Sequence, residues 1–207
     1  MATHPLWRPF DPGANAARQG ERVAFRQTVP GAVQAHDEGW REQFEGVDRV
    51  LTDSIGDLAL SICHVGSTSV PGTFAKPVID VDLTVPDVED EHSYLPQLEA
   101  AGFRLIFRDV MSGDPHRQLT FASPNTNLHI WSPGAIEPQR HVVFANWLRT
   151  SASDRERYNA AKAAASVTHV AARYNDLKAA AVYDIYEHAF LADEGYDHDP
   201  HPRDLTE

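Results

Sequence analysis

Along the chain the apolar positions change period several times, and each change predicts an element. Trp40, Phe44, Val47 and Leu51 recur at spacings of four, three and four, which is one face of an α-helix that should end near Gly56. From Leu58 to Val65 the run LALSICHV is short, apolar and rich in β-favouring residues, and predicts a strand that empties into Gly66. The next strand, Val78 to Val85, alternates. Ile79, Val81, Leu83 and Val85 form an apolar face, while Val78, Asp80, Asp82 and Thr84 form a face that turns acidic. A helix is expected from Glu91 to Ala101, with Leu95 and Leu98 inward and Gly102 as its stop. Strands follow at Phe103–Phe107, Gln118–Ala122 and Asn127–Trp131, set apart by turn-forming SGDP and SPNTN.

From about Arg140 the pattern becomes helical, and a further helix is expected to open on Ser153-Asp154-Arg155-Glu156, read as a capping box. RYNAAKAAA from Arg157 and RYNDLKAAA from Arg173 agree at seven of nine positions. In one straight helix the copies would lie on nearly opposite sides, whereas a hairpin bent near Ser166–Thr168 could bring both to one groove. In either case Tyr and Lys at i and i+4 share a face. The pattern predicts an α/β (α+β) domain over residues 37–192 with a C-terminal helical hairpin. It also predicts an irregular N-terminal arm over 1–36, pinned by Leu6, Trp7 and Phe10, and a flexible acidic tail over 193–207.

Composition narrows the classes. A formal net charge of −12 and a single cysteine, Cys63, argue against a polyphosphate backbone as partner and exclude an intrachain disulfide or a Cys-rich zinc centre. No run approaches the roughly 18 apolar residues of a membrane span, and the first residues lack the pattern of an export signal. A soluble, cytoplasmic protein is expected. A divalent cation can reverse the local sign at an acidic site, so a nucleotide remains compatible with the charge.

The stretch HVGSTSVPGTFAKPVIDVDLTV, His64 to Val85, concentrates the chemistry. Asp80 and Asp82 share a strand face about 6.5–7 Å apart, a spacing suited to a hard cation such as Mg²⁺ that completes its shell with water and phosphate. The alternative is the solvated face of an edge strand. Gly66 and Ser67 allow close backbone approach to a phosphate, with hydroxyls of Ser67, Thr68 and Ser69 and the charge of Lys76 as further donors, or they simply make turns. The loop matches neither G-x-x-x-x-G-K-[ST] nor G-x-G-x-x-G. His129, opposed by Leu128 and Ile130, is read as a third metal ligand, an acid or base near the phosphate, or a hydrogen-bonded strand histidine. Arg140, Tyr158, Lys162, Tyr174 and Lys178 offer cations and aromatic rings for a nucleotide or an acidic acceptor, against the ordinary reading of solvated helix faces.

GSTSVPGTFAKPVIDVDL resembles the signature of the GrpB-like family, which reads close to GSTAVPGLAAKPIIDI. The likeness extends through Trp40, the LHI strand at His129, FANWLR and the paired Tyr-x-x-x-Lys segments. That family is similar to the nucleotidyltransferase superfamily. The resemblance implies a mixed sheet flanked by helices, with Gly66 and Ser67 binding phosphate and Asp80 and Asp82 binding Mg²⁺. The activity it implies is transfer of a nucleotidyl group from a nucleoside triphosphate to a small acceptor. The alternative it carries is a non-catalytic accessory module of the same fold, binding a nucleotide, a phosphorylated ligand or a protein. No third acid is evident on a later strand, where His129 stands instead.

Overall fold

In the computed structural model, residues 4–8, 20–167 and 171–193 are described. The chain divides into two compact units, Gln19–Pro138 and a second made of Met1–Arg18 with Gln139–Glu207.

The first unit is a six-stranded mixed sheet with helices on it. Its strands are β1 (Gly20–Arg22), β2 (Ser61–Val65), β3 (Ile79–Thr84), β4 (Arg104–Met111), β5 (Asp114–Phe121) and β6 (Thr126–Trp131). They lie in the order β1-β4-β5-β6-β3-β2, and every pairing is antiparallel except β3 with β6. Helices α1 (Gly39–Ile55) and α2 (Glu91–Ala100) complete the unit. The apolar period in α1 is obeyed: Trp40, Val47 and Leu51 are buried with Tyr94 and Leu98 of α2. They share one core with Ile79, Val81 and Leu83 of β3 and with Leu128 and Ile130 of β6. Burying one such side chain contributes about 1.5–3 kcal/mol, so this layer fixes which face of β3 and β6 looks away from the core. That other face carries Asp80, Asp82 and His129.

Three expectations shift. The arm contains a strand, β1, which pairs with β4, and Gln34 makes an isolated antiparallel bridge to Ala75 at the end of the small-residue loop. Three exposed residues, Gly20 to Arg22, show no apolar period that a pattern search would find. The strand expected from Leu58 begins at Ser61, because Gly56–Leu58 closes a short 3₁₀ turn after α1. Strands β4 and β5 run further than expected, since the turn between them occupies only Ser112 and Gly113, both at positive φ.

In the second unit, α3 (Ile136–Thr150, which begins in the first) is followed by α4 (Ala152–Ala165) and α5 (Ala171–Leu191). Asp154 meets His188 and Arg157 meets Asp184 at 3.0 and 3.1 Å, so α4 and α5 run antiparallel as a hairpin. The expected bend reaches Thr168, which lies outside the described residues. The cap of α4 is Ser151 rather than Ser153: its hydroxyl accepts from the Asp154 amide at 3.4 Å. Asp154 is drawn inward by the Trp147 indole N–H and by His188, which starts the first turn two residues early. Trp7 is buried edge-on to Tyr183 and Phe190, with centroids 5.2 and 5.7 Å apart. Phe10 and the tail from 194 onward lie outside the described residues. No helix among the described residues is long and apolar enough to cross a membrane.

Candidate functional site

Strand β3 places Asp80 and Asp82 on the same face because one strand step reverses the side chain and two restore it. The register sets Asp80 beside Val65 of β2 and Asn127 of β6, and Asp82 beside Cys63 and His129. His129 and Asp82 are thus direct neighbours across a parallel pair. Their other face is the apolar one, where Leu83 and Ile130 are fully buried.

Each acid is engaged by a donor from β6. Asn127 Nδ2 donates to Asp80 Oδ1 at 2.7 Å, and Trp131 Nε1 donates to Asp82 Oδ1 at 2.9 Å. Asp82 is 2 % exposed, while Asp80 is half-buried. Behind Asn127 stands Arg26, whose guanidinium donates to the side-chain oxygens of Asn127 and Asn125. Burial holds the Arg26 pKa below the usual arginine value, and the charge of Asp80 pulls the other way. The guanidinium remains a fixed cation whose charge is felt at Asp80.

The small-residue loop approaches the same acid. Gly66 has φ 68°, and a Cβ built there would lie 2.5 Å from Asp80 Oδ2. The loop then turns through Ser67–Ser69, where the Ser69 hydroxyl donates to the Gly66 carbonyl at 2.8 Å. Thr68 is buried; its hydroxyl donates to the Val78 carbonyl at 3.3 Å and lies 3.0 Å from His64 Nε2. Thr73, fully buried, donates to the carbonyls of Ser67 and Val70. The hydroxyls of Thr68 and Ser69 therefore hold the loop itself in shape. Lys76 is half-buried at the loop's far end.

On the same face, toward β4, His129 is joined by two groups that the sequence did not single out, His116 and Asp109. His116 Nδ1 is 2.6 Å from Asp109 Oδ1, and His116 Nε2 is 3.0 Å from His129 Nδ1. The side chains of His116 and Asp109 are wholly buried. The Trp131 ring lies 4.3 Å from that of His116 while its N–H reaches Asp82, so one side chain braces both groups.

Among the described residues no group of three or more His, Cys, Asp or Glu side chains is arranged to hold a metal ion. A Mg²⁺ ion held by one or two carboxylates, water and substrate phosphate needs no such group. Asp80 and Asp82, hard oxygen donors on one face with loop backbone tight against one of them, fit that kind of ion.

The remaining residues singled out by sequence lie in the second unit. The Arg140 guanidinium sits 4.3 Å from the Tyr186 ring centroid and donates to the Leu6 carbonyl. Lys162 Nζ lies 4.8 Å from the Tyr158 ring, and Lys178 Nζ 5.2 Å from the Tyr174 ring, so each Tyr-x-x-x-Lys copy does share a helix face. Tyr158, Lys162 and Tyr174 are buried. Burial, with Tyr158 close by, pushes the Tyr174 hydroxyl pKa upward.

The sequence model of the GrpB protein family matches residues 30–188. The UPF0157 protein BH1888 of Halalkalibacterium halodurans is 41% identical over 125 residues, which are 59% of this chain and 63% of that protein. The chain thus spans less than two thirds of that relative's length. The crystal structure of GrpB from Enterococcus faecalis is similar with a TM-score of 0.64 at 26% identity, over 77% of this chain and 97% of that one. A distant likeness, of TM-score 0.45 at 13% identity over 61% of this chain and 41% of the other, is to the Cid1 poly(U) polymerase. The chain belongs to the GrpB family and shares the mixed α/β fold of the GrpB structure.

Proposed function

We propose that this protein transfers a nucleotidyl group from a nucleoside triphosphate to a small acceptor, with Mg²⁺ held by Asp80 and Asp82. The observation that carries the reading is the meeting of three parts on one sheet face. Two carboxylates stand two residues apart, the Gly66 backbone is pressed against one, and His129 is in register with the other. When bound, the metal neutralises charge that develops on the phosphates. The chain's own groups do the rest. The backbone at Gly66 and Ser67 receives phosphate oxygens, and Arg26 keeps a positive charge behind Asp80 and Asn127. The acceptor's hydroxyl oxygen bonds to the α-phosphorus, the bond to the β-phosphate oxygen breaks, pyrophosphate leaves, and the hydroxyl proton passes to His129.

A specific observation favours a second reading, that of a non-catalytic ligand-binding module: both carboxylates already accept protein hydrogen bonds. Calorimetry and thermal shift with each nucleoside triphosphate, with and without Mg²⁺, separate the two. Nucleotidyl transfer predicts Mg²⁺-dependent binding that Asp80→Asn with Asp82→Asn abolishes while circular dichroism is unchanged. Binding indifferent to both metal and substitutions supports the module.

A further inference from the structure

The buried line Asp109, His116 and His129 crosses three adjacent strands, β4, β5 and β6, and ends beside Asp82. Its exposure rises along its length: the first two side chains are fully buried and His129 is half-buried. A buried carboxylate and a buried histidine need a structural or chemical reason, because each carries polar atoms taken out of water.

The hydrogen-bond chemistry of the line has a direction. An ionised Asp109 only accepts, so His116 Nδ1 at 2.6 Å carries the proton between them. In a neutral His116, Nε2 then bears the lone pair and accepts. The group it faces at 3.0 Å is His129 Nδ1, which must therefore donate. A neutral ring with its proton on Nδ1 carries its lone pair on Nε2. Trp131 keeps the line in place by covering His116 with its ring while donating to Asp82.

We propose that Asp109 and His116 are positioning residues that fix His129 in its Nδ1–H tautomer, making Nε2 the proton acceptor on the acidic face. The tautomer follows from the geometry; its use in taking the acceptor's hydroxyl proton rests on the nucleotidyl-transfer reading. In that step the O–H bond breaks, its proton joins Nε2, and the resulting imidazolium keeps its Nδ1–H on His116. The buried Asp109 carboxylate stabilises the added positive charge through the intervening ring.

The test is histidine tautomerism in the full chain. Protein labelled with ¹⁵N-histidine is observed by long-range ¹H–¹⁵N correlation at a pH where the ring shifts themselves report neutral imidazoles. The His129 signals are identified by their loss in His129→Gln. The expected spectrum has His129 Nδ1 in the protonated range and Nε2 in the unprotonated one. Asp109→Asn lets an amide N–H donate to His116, which reverses the line and exchanges the two His129 shifts. His116→Phe removes the acceptor at similar volume and releases the Nδ1–H preference. A wild-type His129 protonated on Nε2 overturns the proposal and requires no variant to fold. Unchanged His129 shifts in both folded variants overturn it as well. The expected shifts in a protein that shows no metal-dependent nucleotide binding would uphold the positioning roles and remove nucleotidyl transfer.

Discussion

At Gly66 a single hydrogen in place of a side chain lets loop backbone and carboxylate share one space. Its backbone pair, φ 68° and ψ −169°, belongs to a region essentially reserved for glycine, and any Cβ there would meet Asp80 Oδ2. Gly66→Ala should therefore lower stability by about 1–3 kcal/mol through strain alone. It should also weaken nucleotide binding beyond what that loss explains, because Asp80 must move. Chemical denaturation and calorimetry on the same preparation separate the two effects. The sequence made Gly66 readable as a point of close approach, since only small residues permit one. It did not show that the approaching group is a side chain of this chain, because that contact arises from the β2–β3 register, which places Val65 against Asp80. Arg26 was hidden for a related reason: its partners Asn125 and Asn127 are about a hundred residues away, beyond any local pattern.

Among the elements, β3 was the most legible, β1 was missed altogether, and β4 and β5 were read too short. Ile79, Val81 and Leu83 at a strict period of two mark the core face of β3, and all three are buried. Asp109 and His116 were missed because Ser112-Gly113-Asp114-Pro115 has the chemistry of a broad turn. In the fold Asp114 and Pro115 already belong to β5, Pro115 opposite Val110 and His116 opposite Asp109. Helix α4 shows how a partner overrides a local signal, since Asp154 joins Trp147, His188 and Ser151 at its first turn. Burial pushes the Asp154 pKa up, but hydrogen bonds from Trp147 and His188 outweigh it and hold the group below the usual aspartate value. The unfolded chain therefore binds this proton more tightly than the folded one. The resulting stabilisation is complete above about pH 4 and fades as pH falls through the lower folded value. Asp154→Asn should lower the denaturation midpoint near neutrality and flatten its fall below about pH 4, measured by urea titrations at successive pH values.

For the whole molecule, every residue of the main hydrophobic cluster lies within 19–138, from Trp40 to Ile130. A fragment of those residues should unfold cooperatively on heating, with near-ultraviolet dichroism from its two tryptophans, Trp40 and Trp131. A broad, non-cooperative melt would show that this core depends on the remainder of the chain. A net charge of −12 disfavours a polyanion unless a cation accompanies it, and the Mg²⁺ proposed at Asp80 and Asp82 would supply one. The parallel pairing of β3 with β6 bears on the order of assembly. Pairings β2–β3, β4–β5 and β5–β6 join strands that follow one another among the strands of the chain, whereas Asp80 and Asn127 stand 47 residues apart. Closing that larger loop costs more chain entropy than closing a hairpin, which favours the meander of β4 to β6 forming first and offering β6 as a template. A nascent chain would carry the acids from the moment β3 is made, yet acquire the constellation only when β6 arrives.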